Sequence, residues 1–149
     1  MDHGEQGAEM SQSGNTTTSQ IPQRALELRF LTRAETEVNE LRASLPRDPL
    51  ALHANDLVQL ERVAHRISSE AEAFGFPEIE VIAGGIELLA IDRLPRAPRA
   101  LLELAARLAE RISALQVHVQ HYIAERMNEQ VPDELPMSAH LPGFGIRRR

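Results

Sequence analysis

The chain has 149 residues, a formal charge of −6, no cysteine and 3% aromatic residues. One domain with a real core fits that length, while the acidic balance argues against a general nucleic-acid surface. The missing cysteines exclude disulfides, thiol nucleophiles and cysteine metal sites. No apolar run approaches the roughly 18 residues needed to span a bilayer, and the N-terminus is polar rather than basic then apolar, so a soluble cytoplasmic protein is expected. Lysine is absent, so arginine carries all the basic charge besides histidine. With tryptophan also absent, the core falls to Leu, Ile, Val and Ala, which suits packed helices better than a sheet.

Residues 1–20 are Gly, Ser, Thr, Gln and acidic residues with little to bury, and read as a disordered tail. A first helix is expected from Ile21-Pro22, proline being well suited to a first helical position. Its apolar positions, Leu28, Leu31, Ala34, Val38, Leu41 and Leu45, recur at intervals of three and four until Pro46 and Pro49 interrupt them. The segment from Pro49 to Asn55 is either a turn of its own or the start of the next helix.

The second helix, Asp56 to Gly75, organises the rest. At roughly 100° per residue, Leu57, Leu60, Val63, Ala64, Ile67, Ala71 and Phe74 share one side of the wheel. His65 lies roughly 140° from that direction, among Val58, Glu61, Arg62, Ser69 and Glu72, so an outward histidine is expected. Gly75 suits the left-handed position after the last turn, and Pro77 opens a third helix to about Asp92. Its expected stripe is Ile79, Ile82, Ile86 and Leu89. Gly84-Gly85 costs roughly 1 kcal/mol per glycine against alanine in its middle, which points to close helix packing or an open surface, with a merely tolerated weakness as the bland reading.

A last helix from Pro98 to Met127 carries Leu101, Leu104, Ala105, Leu108, Ile112, Leu115, Val119, Tyr122 and Met127 on one side. At roughly 45 Å it is longer than its neighbours, so its end is expected to overhang the bundle or bend. Residues 128–149, with three prolines and a terminal Arg147-Arg148-Arg149, read as a flexible tail. The expected fold is therefore all-α: an antiparallel up-down four-helix bundle over 21–127, monomeric, with disordered N- and C-terminal tails.

Asp56, Leu60, Ala64-His65, Ile67, Phe74-Gly75, Ile82-Ala83 and Glu87 together resemble the histidine-containing phosphotransfer (HPt) domain family. Its pattern is an aspartate nine before the histidine, then Ala-His-x-Leu-Lys-Gly-Ser, and a Phe/Leu-Gly about ten after it. The resemblance runs loosely from Leu28 to about Leu115 and leaves out both tails. It implies a helical bundle that carries a phosphoryl group rather than an enzyme. An exposed histidine takes the group from a receiver aspartate and passes it to another receiver. The implied partners are response-regulator receiver domains or a hybrid histidine kinase, with no nucleic acid or membrane. No cofactor is implied on the carrier, because Mg²⁺ sits on the receiver.

The chemistry is consistent with such a role. Imidazole side chains titrate near about 6.5 and are largely neutral and nucleophilic at cell pH. Phosphoryl transfer asks mainly for in-line placement and charge neutralisation. His65 is the expected phosphoacceptor. Ser69 leaves room one turn along, and Val58 offers an exposed apolar contact two turns before. The family's lysine is Ser68 here and its next glycine is Ser69, which removes a positive charge. Arg62 or Arg66 is the expected replacement, with Arg62 nearer the histidine on the wheel. Glu61, Ser69, Glu72 and Arg62 are the candidate hydrogen-bond partners of the imidazole or the phosphoryl group, and acids there oppose phosphorylation. A receiver- or kinase-binding module that carries no phosphate, and a structural bundle, remain as alternatives.

Other histidines are weaker candidates. His118, His121 and Glu125 have a spacing that fits a metal from one helical face, but no third strong ligand is evident and a solvated face looks the same. His53 is expected at the surface. His3, His140 and the arginine triplet fall in the tails, where solvated side chains are the ordinary outcome.

Overall fold

The computed structural model describes residues 22–129. Four helices, α1 (Gln23–Ser44), α2 (Ala54–Phe74), α3 (Pro77–Ile91) and α4 (Pro98–Asn128), form an antiparallel up-down bundle, with a short 3₁₀ turn at Pro49–Ala51. Both α1 and α3 pack against α2 and α4. The described residues contain no strand and no helix long and apolar enough to cross a membrane. The expected tail 1–20 and all but the first two residues of the expected tail 128–149, with His3, His140 and the arginine triplet, lie outside the described residues. The last helix runs to Asn128, one residue beyond the expected Met127.

Local chemistry accounts for the helix ends. The segment after Pro49 resolves into the 3₁₀ turn, whose N-cap Asp48 accepts the Leu50 N–H at 3.0 Å. The second helix opens two residues before Asp56, whose carboxylate accepts the backbone N–H of the N-cap residue His53 at 2.8 Å. That carboxylate takes up a donor that the first turn leaves without a helical partner. Gly75 has φ +80°, a left-handed conformation that L side chains rarely adopt. It ends α2, and two residues later Pro77 starts α3.

The core runs the length of the bundle. Leu57, Leu60, Val63, Ala64, Ile67 and Ala71 on α2 are buried, with Phe74 packed at the edge. On α3 the buried stripe is Ile79, Ala83, Ile86 and Ala90. The expected Ile82 and Leu89 are displaced to the half-buried flanks, because the two alanines let α3 approach its neighbours on that side. Met127 is also corrected: it is an exposed hydrophobic residue.

Aromatic residues close one end. Phe30 stacks on Phe74 and Phe76, and Tyr122 meets Phe76 edge-on. Arg126 lies 5.2 Å from the Phe76 ring centroid and donates through Nε to Glu27 at 2.8 Å. Tyr122 donates its hydroxyl to Glu78, which pushes the phenol up to about 12 and lowers the carboxyl. The length of α4 that exceeds α2 and α3 pairs with the start of α1, where Arg24 bridges to Glu129 at 3.3 Å.

Candidate functional site

Six α2 residues named from the sequence are exposed: His65, with its side chain 63% exposed, and Val58, Arg62, Arg66, Ser69 and Glu72. The α2–α3 hairpin sets what faces the histidine. Residues equally distant from a helical turn meet across an antiparallel pair, and His65 finds Glu87. The Glu87 Oε2 lies 2.9 Å from Nδ1 of the imidazole. Glu87 is itself largely covered, at 22% exposure, so its carboxylate is held against the bundle.

This contact orders the imidazole chemistry. A carboxylate only accepts hydrogen bonds, so Nδ1 carries the ring proton and donates it. Nε2 is then the lone-pair nitrogen and points away from Glu87. A rigid helix, a fixed tautomer and an unblocked nucleophile are what a transferable group needs.

The other residues named from the sequence divide. None of Glu61, Ser69, Glu72 and Arg62 bonds to His65; Glu87, part of the spaced pattern, takes that place. An antiparallel count about Phe76, eleven residues to either side, is the sequence signal that would have found it. Arg66 turns away to α1 and donates to Glu37 at 2.5 Å. Ser68 faces α3, giving its hydroxyl to the Glu80 carbonyl at 3.2 Å, with its Oγ 3.6 Å from where a Cβ on Gly84 would stand. Ser68 thus packs the hairpin rather than standing beside Nε2.

Behind α2, two ion pairs run across to α1. Arg33 meets Glu70 at 2.7 Å, and Arg66 meets Glu37. Each helix supplies an arginine followed four residues later by a glutamate, so the antiparallel arrangement crosses the charges. Glu37 is buried at 4% exposure, and burial raises its carboxyl above the ordinary range despite Arg66. One oxygen each of Glu37 and Glu70 is buried without a hydrogen bond.

Exposed apolar side chains lie on the same two helices as the histidine and its partner Glu87. Val58 is 53% exposed, and α3 adds Val81, Leu88 and Ile91, each more than half exposed. By hairpin register, Leu88 stands level with Ala64 and Ile91 with Glu61, both on the N-terminal side of His65. Their solvation is unfavourable, by roughly 25 cal/mol per Å² of apolar surface that a partner could cover.

A family model described as the Hpt domain matches residues 28–118, which include His65 and Glu87. The chain belongs to the Hpt domain family. Neither the curated proteins nor the solved structures contain a match. The Hpt match stops short of the first turn of α1 and the last turns of α4, so the paired ends lie outside it.

The remaining histidines do not converge. His121 bonds to Glu125 within its own helix at 2.9 Å, and His118 lies beside Pro77, Glu78, Val81 and Ile82. Among the described residues no three His, Asp or Glu side chains are grouped to hold a metal ion. His53 is exposed beside the α2 N-terminus.

Proposed function

We propose that this Hpt domain carries a phosphoryl group on Nε2 of His65, taken from the aspartyl phosphate of one receiver domain and delivered to another. The supporting observation is the exposed imidazole with Nδ1 bonded to Glu87. In the transfer, the Nε2 lone pair attacks phosphorus in line with the aspartyl oxygen. The P–N bond forms, the P–O bond breaks, and the aspartate leaves as a carboxylate with that electron pair. Nδ1 keeps its proton, so the ring becomes cationic, and the Glu87 carboxylate offsets the new charge. Delivery to the second receiver reverses each step.

The exposed Val58, Leu88 and Ile91 on the two helices that hold His65 and Glu87 suit an apolar receiver face that covers the site. Arg62, exposed one turn before His65, serves as the cation on the α1 flank. Mg²⁺ is assigned to the receiver, and the carrier acts as a cytoplasmic monomer. The test is to phosphorylate a panel of receiver domains with labelled acetyl phosphate and mix each with the protein. Label on wild type and none on His65→Gln is expected. Label that reaches no wild-type protein from any receiver or hybrid kinase defeats the reading. If His65→Ala also keeps its receiver affinity and cellular output, a phosphate-free binding module takes its place.

A further inference from the structure

A phosphoryl group on His65 would bring about two negative charges next to the Glu87 carboxylate. Such an arrangement asks for a cation, and most of the nearby candidates are committed elsewhere. Arg66 is tied to Glu37, and Ser68 is uncharged and bonded to α3. Arg62 stands on the side of α2 that turns towards α1, opposite to Glu87 on the wheel.

The glycine pair of α3 opens another route. Gly85 faces α4, and a Cβ placed on it would come within 2.5 Å of a guanidinium nitrogen of Arg111. The Arg111 head therefore rests on bare α3 backbone. It lines a 690 Å³ surface depression together with Gly84, Gly85 and Glu87, the carboxylate that holds the imidazole. Asp92 lines the same depression, yet among the described residues no ion pair ties Arg111 to either acid. The glycines would otherwise weaken α3 for no return.

We infer that Arg111 reaches over the Gly84–Gly85 shelf as a positioning cation for the phosphorylated state of His65, drawing the phosphoryl oxygens towards α3 and balancing Glu87. This inference rests on the phosphocarrier reading. Gly85 has a role in it: a side chain at that position displaces the guanidinium. The charged groups facing the phosphoryl are then Glu61 and Arg62 from α2, Glu87 and Asp92 from α3, and Arg111 from α4.

The test uses the full chain and potassium phosphoramidate, a small donor whose P–N bond breaks as ammonia leaves and the new bond to Nε2 forms. The phosphohistidine is followed by ³¹P NMR across a pH titration. In Arg111→Gln, uptake is expected to slow several-fold. The phosphoryl titration midpoint should rise by about half a pH unit, the effect of one charge several ångströms away in a wet surface. Arg111→Lys should restore most of the midpoint. Gly85→Ala should move it as Arg111→Gln does while raising the melting temperature, a combination that lost packing would not give. An unmoved midpoint in Arg111→Gln overturns the role of Arg111 and leaves the phosphocarrier intact. Failure of wild-type His65 to take phosphate from both phosphoramidate and the receivers overturns both.

Discussion

Replacing Glu37 by glutamine should stabilise the protein at neutral pH. Ionised Glu37 is buried with one oxygen bonded to Arg66 and the other unpartnered. A buried polar atom left without a partner costs about 1–3 kcal/mol. Glutamine keeps an acceptor for Arg66 at a loss of about 1 kcal/mol in bond strength, and Arg66 is 44% exposed, so water compensates part of that. The new amide can also donate towards the orphan oxygen of Glu70, whose charge already acts on Glu37. The balance favours Glu37→Gln by about 1 kcal/mol, or about 4 °C in a domain of this size.

The pH dependence follows from the raised carboxyl of Glu37. Its folded value lies above the ordinary 4.5, so as pH falls the native state takes up the proton before the unfolded chain does. Wild type then gains stability that glutamine cannot gain. The advantage of Glu37→Gln is therefore largest above the folded value and closes as pH falls to about 4.5. Thermal unfolding followed by circular dichroism at about pH 8 and about pH 4.5 measures both. A variant less stable than wild type at pH 8, or an equal gain at both values, refutes the reasoning.

Two further outcomes follow from α2 and its partner. Glu87→Ala frees Nδ1 and removes the counter-charge, so phosphoryl uptake from phosphoramidate should fall about tenfold, or about 1.4 kcal/mol; an unchanged rate would show that the bond does not order the ring. Asp56→Ala strips the first turn of α2 of its capping carboxylate and should cost about 1 kcal/mol in denaturant unfolding, without abolishing label on His65.

Most of the architecture is legible from the chain. The three-and-four spacing marks each helix, and the prolines with Gly75 set the ends to within a residue or two. The α3 stripe was harder to read, because Ile82 and Leu89 are as apolar as the core residues Ile79 and Ile86, while the buried Ala83 and Ala90 look neutral. There packing distance, not hydropathy, decides which side faces inward. The outward direction of His65 follows from the wheel alone, since α2 is regular and strongly amphipathic. Its partner required a count across the hairpin rather than along one helix. Arg66 illustrates the limit: the wheel puts it near His65, but a buried glutamate on another helix holds it, and no single-helix pattern encodes that pull. Glu37 was hidden for the same reason, a charged residue beside Val38 with nothing local to mark its burial.

The bridge from Arg24 to Glu129 has a consequence for how the domain connects to other chain. It brings the two exits of the bundle side by side, at the end of the molecule that the aromatic cluster closes. A host loop could therefore receive the whole unit as an insertion without being stretched, and a circularly permuted version would need only a short linker. Reopened between α1 and α2 near Arg47, such a permutant would keep all four helices and the α2–α3 hairpin unbroken. Its His65 would stand at the same height above a new pair of ends, so the position of a tether could be varied while the reacting face stayed the same.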